Sequence, residues 1–487
     1  MKRSKFSLGY TRLMSLNQGY LVPCGLLEVL PGDTIQQASS ALVRVSPLVA
    51  PMMHRCDIRI HHWFVPHRLL WDNWEPFITG GPDGDDVSDP PYHTVGGGGN
   101  AVGSLFDYFG VPPGVAIPAP GWSALPTRGY QLIWNEFYRD QDLVPEANIS
   151  TAGGGDSTTT STLQKVAWEK DYFTSARPWA QKGPEVQIPI GATAPVVFQE
   201  SGTSSGTRNL QRNASGANTG LNVTQAGTVN DAITAYADLS SATAISVNEL
   251  RLALSLQRFE EARARYGSRY TEYLRYLGVR SSDARLQRPE YLGGGRQSLQ
   301  ISEVLQTALN TDGDPSAGGV GQLAGHGIGA MRSARYRRFF EEHGFIHSLI
   351  SVKPKTVYMN GLARHFNRRT KEDYYQKELE HIGQQEILKK EIYANSSDPN
   401  GTFGYQDRYD EYRRSESGVA GEFRTTLDFW HMARKFASEP SLNSSFVQCD
   451  PTTRVYADET DNQLWVMVNH SIQARRLLAR TGSSFIF

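Results

Sequence analysis

The sequence predicts a mainly β protein, an antiparallel β-sandwich whose loops have grown into long insertions carrying several short helices. Three observations support this. Glycine (46 residues) and proline (25) are about one in seven of the 487 residues, a turn density that suits a loop-heavy β protein better than a helical bundle. Strand-like segments are scattered, separated by tens to over a hundred residues. The helical patterns fall in the stretches between them.

In chain order, residues 41–49 and 57–65 predict strands. A helix is expected over 127–139, where Tyr130, Ile133, Trp134 and Phe137 recur at i, i+3, i+4 and i+7. Glu185-Val-Gln-Ile-Pro-Ile190 alternates, with Val186, Ile188 and Ile190 on one face. Ser246-Val-Asn-Glu249 is a capping box opening a helix to about Tyr266, with Gly267 suited to its C-terminal cap. Tyr270, Tyr273, Leu274 and Leu277 stripe a second short helix, and residues 370–382 form a highly charged third candidate. Residues 345–358 and 463–468 are apolar on both faces, as in strands buried within an assembly. The helical stripes predict packing faces rather than ligand sites.

Hydrophobic residues are 39% and charged residues 20%, which excludes wholesale disorder. Length alone suggests two to four domains, although all-β scaffolds with long insertions also reach this size. The net charge of −1 hides an asymmetry. Residues 1–27 carry Lys2, Arg3, Lys5 and Arg12 without an acid, and residues 462–487 carry Arg475, Arg476 and Arg480 without an acid. The two ends hold +7, leaving −8 for everything between. A basic N-terminal arm (1–30) and a basic C-terminal segment (462–487) fit contact with a polyanion. They equally fit tails that aid solubility.

Cys24, Cys56 and Cys449 are too few and too scattered for a disulfide framework or a zinc site, and predict buried thiols made in a reducing cytoplasm. The basic start leads into Ser, Gly and Thr rather than an apolar run, so no secretory leader is expected. No stretch approaches the ~20 apolar residues of a membrane span.

The segment from Ser201 to Val247 differs from its surroundings. It is rich in Ser, Thr, Gly, Ala and Asn, with Arg208, Arg212, Asp231 and Asp238 as its only charges. A polar surface insertion that orders against copies of itself would have this composition, and so would a plain flexible loop.

Motifs that could carry chemistry fail on context. His54, His61, His62 and His67 are close in sequence, but neighbours on a strand point to opposite faces, so His61 and His62 cannot share a metal. They predict structural histidines packed with Trp63 and Trp71. Gly319-Val-Gly321-Gln-Leu-Ala324 resembles a dinucleotide fingerprint but follows a turn instead of a strand. Arg332, Arg335, Arg337 and Arg338 interleave with Tyr336, Phe339 and Phe340, a composition that can grip single-stranded nucleic acid. Glu341 and Glu342 follow at once, which favours ion pairing instead. No catalytic residue, metal ligand or cofactor is expected.

Several longer words are more specific. Pro31-Gly-Asp-Thr34 followed by Ala41-Leu-Val-Arg-Val-Ser-Pro-Leu-Val-Ala-Pro-Met52 resembles the N-terminal signature of gokushovirus-type microvirus (Microviridae) major capsid proteins. Ile60-His-His-Trp-Phe-Val-Pro-His-Arg68, Tyr172-Phe-Thr-Ser-Ala-Arg-Pro-Trp179 and Asp283-Ala-Arg-Leu-Gln-Arg-Pro-Glu-Tyr-Leu-Gly-Gly294 continue it. Phe403-Gly-Tyr-Gln-Asp-Arg-Tyr-Asp-Glu-Tyr-Arg413 and Asp428-Phe-Trp-His431 complete it, in family order between about residues 30 and 450.

The resemblance implies a single eight-stranded antiparallel jelly roll over 31–487 and a structural, non-enzymatic role. Copies would meet around two-, three- and five-fold axes in a T=1 icosahedral capsid enclosing a circular single-stranded DNA genome. It further implies a scaffolding protein, a DNA pilot protein and a host surface receptor as partners. Assembly would take place in the bacterial cytoplasm, and the end product would be the virion. Three-fold protrusions built from an insertion are a family feature, and 201–247 is the candidate insertion. Lys2, Arg3, Lys5, Arg12, Arg475, Arg476 and Arg480 are the candidate nucleic-acid-facing residues. The competing expectation is a carbohydrate-binding or host-attachment β-sandwich acting outside a closed shell.

Overall fold

The computed structural model describes residues 3–81, 86–183, 196–200, 210–212, 221–223, 233–237, 247–266, 275, 287–307 and 323–480. The chain divides into two compact units, Gln181–Ser268 and the remainder.

The larger unit is built on eight antiparallel strands. They are β1 (Tyr10–Leu16), β2 (Val22–Val29), β3 (Thr34–Val45), β4 (Cys56–Pro66), β5 (Glu290–Ser298), β6 (Leu323–Arg332), β7 (Gly344–Pro354) and β8 (Leu464–Arg476). One sheet has the order β1-β8-β3-β6 and the other β2-β7-β4-β5. Pairings are nested: β1 with β8, β2 with β7, β3 with β6 and β4 with β5. Strands β3 with β8 and β4 with β7 then close each sheet. Three short strands enlarge the first sheet to seven. Ser4–Ser7 joins β8, Tyr336–Phe339 joins β3, and Gln300–Leu305 joins β6.

Alternation explains the packing. Ala41, Val43 and Val45 of β3 and Val466 and Val468 of β8 point inward. They meet Ile58 and Ile60 of β4 and Ile350 and Val352 of β7, removing a continuous apolar layer from water. The odd-numbered positions of β4 and β7 are buried too. Trp63, Val65 and Leu349 pack under a second core formed by the insertions, including Trp71, Tyr130, Trp134, Trp168, Phe173 and Phe403. The both-faces-apolar pattern of 345–358 therefore reflects a sheet roofed by its own chain. Pro354, with no N–H for the ladder, ends the strand.

Helix α1 (Leu125–Phe137) carries the expected stripe, and Tyr130, Ile133 and Trp134 are buried. The charged segment 370–382 is not a helix. It forms short turns at Lys371–Asp373 and Lys377–Leu379, and none of these residues is buried. A helix with no buried stripe lacks the tertiary support that nucleation requires. Instead Asp373 accepts the Arg369 and Thr370 amides, both at 2.8 Å, closing one turn. The expected strand 463–468 runs on to Arg476, and the strand at 41–49 ends at Val45, before Pro47. The expected strand at 185–190 and the stripe 270–277, apart from Arg275, lie outside the described residues.

Two strands were hidden by glycine. Strand β6 turns Gly325, Gly327 and Gly329 inward, where a Cβ would come within 2.7 Å of Ala50 O, 2.6 Å of Val45 Cγ2 and 2.6 Å of Ile58 Cδ1. Strand β5 holds Gly294 against Ile60 O, where a Cβ would sit at 2.4 Å. At Gly329 the facing sheet leaves no room for a side chain, and at the other three a loop or a strand of the same sheet does so.

The smaller unit contains Val196–Glu200 paired with Ile233–Ala237, and Leu210–Arg212 paired with Leu221–Val223 between them in sequence. Helix α2 (Val247–Tyr266) starts and ends where predicted, though Ser246 and Gly267 lie outside the described residues.

Candidate assembly and nucleic-acid surface

The chain ends meet in one sheet. Ser4–Ser7 and β1 both pair with β8, so the first part of the basic N-terminal arm (1–30) is laddered into this sheet. Lys5 lies directly opposite Arg475, and both are exposed. The Arg3 guanidinium stands 5.0 Å over the Phe339 ring. Two of the expected nucleic-acid-facing bases are spent internally. Arg12 donates to the Tyr108 carbonyl. Arg476 pairs with the buried Asp33 carboxylate at 3.0 Å and donates to Glu28 O at 2.6 Å. Arg480 is exposed near the chain end, and Lys2 lies outside the described residues.

Of the insertion residues, Arg212 lies on a strand opposite Leu221, and Val247 begins α2. Ser201, Arg208, Asp231 and Asp238 lie outside the described residues. The compact unit, Gln181–Ser268, is wider than the 201–247 segment expected from composition.

A polar seam crosses the apolar layer between the sheets. His470 Nδ1 is 2.7 Å from Ser39 Oγ, and its Nε2 is 2.9 Å from Cys24 O. Gln37 bonds Ser348 Oγ at 3.3 Å and accepts from Tyr336 OH at 2.7 Å. His62 spans Ser348 Oγ (2.8 Å) and Ser333 Oγ (3.2 Å). Burial pushes the His62 imidazole down to about 3 and lowers His470 as well, so both are neutral. The groups link six strands by hydrogen bonds and fix the register of one sheet on the other.

The histidines nearest in sequence diverge, as strand geometry requires. His61 faces outward to Tyr138 OH at 2.6 Å, while His62 faces the seam. His61 meets Trp63 edge-on at 6.4 Å, but His67 packs on Trp74 (4.6 Å), not on Trp71. Among the described residues no three His, Cys, Asp or Glu side chains converge as metal ligands would. Cys24, Cys56 and Cys449 are buried and free. Residues 308–322 lie outside the described residues, and a strand follows them where a dinucleotide fingerprint needs a helix. In the basic run, Arg338 pairs with Glu290 at 3.0 Å, as ion pairing predicts, while Arg337 is exposed.

Sequence reasoning overlooked Arg44 and Trp465, which lie side by side on β3 and β8. The signal was present as outward positions of alternating strands, but the C-terminal half of β8 is polar on its outer face and its length was not seen. A second concavity collects Arg364, bonded to Glu391 at 2.8 Å, with Glu411 and Arg368 beside it.

An antiparallel sandwich with built-out loops, its two chain ends laddered together, has the build of a structural subunit. The chain matches the family described as "Capsid protein (F protein)" over residues 1–485 and belongs to that family. It is 37% identical to capsid protein VP1 of Bdellovibrio phage phiMH2K over 478 residues, covering 92% of this chain and 88% of that protein. It is 33% identical to capsid protein VP1 of Chlamydia phage 1, covering 94% and 91%, and 32% identical to that of Spiroplasma virus 4, covering 92% and 88%. The resemblance drawn from the sequence words is borne out, and the role is that of a structural capsid protein.

Proposed function

We propose that copies of this chain close into a T=1 icosahedral shell around a circular single-stranded DNA genome, each copy contributing one eight-stranded jelly roll. The observation that carries this is the nested pairing β1·β8, β2·β7, β3·β6, β4·β5. A long hairpin folded over on itself has this pattern, and jelly rolls are built that way. Such a sandwich is rigid, and its loops are free to form several unlike contacts around symmetry axes. The relatives' names support the shell.

In this reading 201–247 builds a three-fold protrusion that contributes to host attachment. A scaffolding protein and a DNA pilot protein assist assembly in the host cytoplasm, and the virion is the final location. Electron microscopy of the expressed chain with its scaffold tests it: uniform small icosahedra are expected, and soluble monomers or trimers under every condition would refute it. Deleting 201–247 should spare the sandwich.

A further inference from the structure

The two sheets differ in what covers them. Insertions roof the four-stranded sheet, whereas among the described residues the outward side chains of the seven-stranded sheet are largely exposed. Its side chains form rows. Lys5 lies beside Arg475, which lies opposite Thr34, and Phe339 flanks Thr34 on the other side. Gln473 lies opposite Gln36, which faces Arg337. Asn469, Ser40 and Arg332 follow, then Leu13, Met467 and Leu42, then Trp465, Arg44 and Ile328.

Arg3, Lys5, Arg44, Arg332, Arg337 and Arg475 thus share one face. The strands of this sheet contain a single acid, Glu303, and it pairs with Gly325, whose Cβ direction is inward. Bases that are remote in sequence are gathered here without a counter-charge from the strands. Trp465 is 50% exposed and Phe339 44%, at opposite ends of the face. Trp465 and Arg475 are ten residues apart on one strand, about 33 Å, room for several nucleotides of an extended strand. Beside Trp465 a groove of about 590 Å³ is lined by Leu13, Leu42 and Arg44 from the sheet, by Val102 from a loop and by Tyr108 from the short helix Leu105–Phe109. The acid at its rim, Asp107, accepts the Gly103 amide at 2.8 Å.

A duplex would offer this face phosphates alone. An unpaired strand offers phosphates and base faces together, and this surface alternates cations with exposed aromatic and apolar groups. We propose that the outer face of the seven-stranded sheet is the single-stranded nucleic-acid surface of the subunit, without sequence preference. A base stacks on Trp465 beside Arg44, and Lys5, Arg337 and Arg475 neutralise phosphates. This rests on the shell reading above and assigns one of its contacts to a face.

The test uses the full-length chain, a short labelled oligothymidylate, and anisotropy with indole emission across a salt titration. Binding should quench Trp465. Trp465→Ala should abolish that quench and weaken binding about tenfold, with Trp465→Phe recovering most of it. Lys5→Gln with Arg475→Gln should flatten the slope of log K against log salt by about 0.7 per lost phosphate contact. Lys371→Gln, on the exposed turn far along the chain, should change nothing. If Trp465→Ala, Arg44→Gln and the Lys5/Arg475 variant all bind like the parent, the proposal is wrong. It is also wrong if the indole is shielded on assembly without nucleic acid, since the face would then be a contact between copies. Particles that form while the subunit ignores oligonucleotide sink this proposal alone, whereas failure to form particles sinks the shell reading.

Discussion

Acid should loosen this subunit through histidines that the fold keeps neutral. His62 lies in the seam between the sheets and His347 on the other face of β7, under α1, and both are fully buried. Burial pushes each imidazole from its ordinary 6.5 down to about 3, with His470 adding to the effect on His62 and His67 to that on His347. The partners of His62 are hydroxyls, which supply no negative charge, and among the described residues neither ring nitrogen of His347 has a hydrogen-bond partner. The folded value lies below the unfolded one, so the unfolded chain takes up protons first. The stabilisation is complete above about pH 6.5 and is lost progressively as pH falls toward 3. At pH 5 each histidine costs about 1.5 pH units at about 1.4 kcal/mol, so the pair removes about 4 kcal/mol. That is a large share of the roughly 5–15 kcal/mol that holds a domain folded. His61 and His67, each pushed down to about 4 by burial, act in the same direction. Denaturant unfolding of the unassembled subunit between pH 7 and pH 5 measures this. In His347→Leu the pH-dependent loss should shrink by about 2 kcal/mol. An unchanged pH slope in that variant, or a flat profile in the parent, would refute the reasoning.

Arg128 and Asp156 form a fully buried pair at 2.8 Å, and Arg128 also donates to Leu70 O and Ala152 O. Burial alone would raise the Asp156 carboxyl, but hydrogen bonds from Thr159 and Arg128 outweigh it and hold the group below its ordinary value. Arg128→Leu strands that charge and two carbonyls, and should cost about 3–5 kcal/mol, read as a lowered midpoint in thermal unfolding. Gly325→Ala presses a Cβ against backbone at 2.7–2.8 Å and should destabilise by about 1–3 kcal/mol, whereas Ala324→Ser on the outward neighbour should stay within about 0.5 kcal/mol. Burial pushes the Cys24 and Cys449 thiols up to about 12 and Cys56 higher still. A thiol reagent should therefore titrate none of the three in native protein and all three in denaturant.

Much of the architecture was legible where alternation is strong. Strands β3, β4 and β7 and helix α1 announce themselves through Val43, Val45, Ile58, Ile60, Ile350, Val352, Tyr130 and Trp134, because their buried faces are apolar and regularly spaced. Strands β5 and β6 did not, since glycines (Gly293 and Gly295; Gly325, Gly327 and Gly329) hold many of their inward positions and carry no hydrophobic signal. Half of β8 was missed because its inward residue in mid-strand is His470, whose partners Ser39 and Cys24 lie more than 400 residues away.

The family, the mainly β class and the basic character of both ends are properties of the linear chain, because they depend on residue identity and local spacing alone. Which bases stay available was decided by the tertiary structure. Arg12 and Arg476 lie among the terminal bases in sequence, yet the fold turns one toward a carbonyl and the other toward Asp33. Arg44 and Arg332 carry no terminal signature, yet register sets them on the same open face as Lys5 and Arg475. Charge is written residue by residue, but a surface exists only once strands from both ends of the chain have paired.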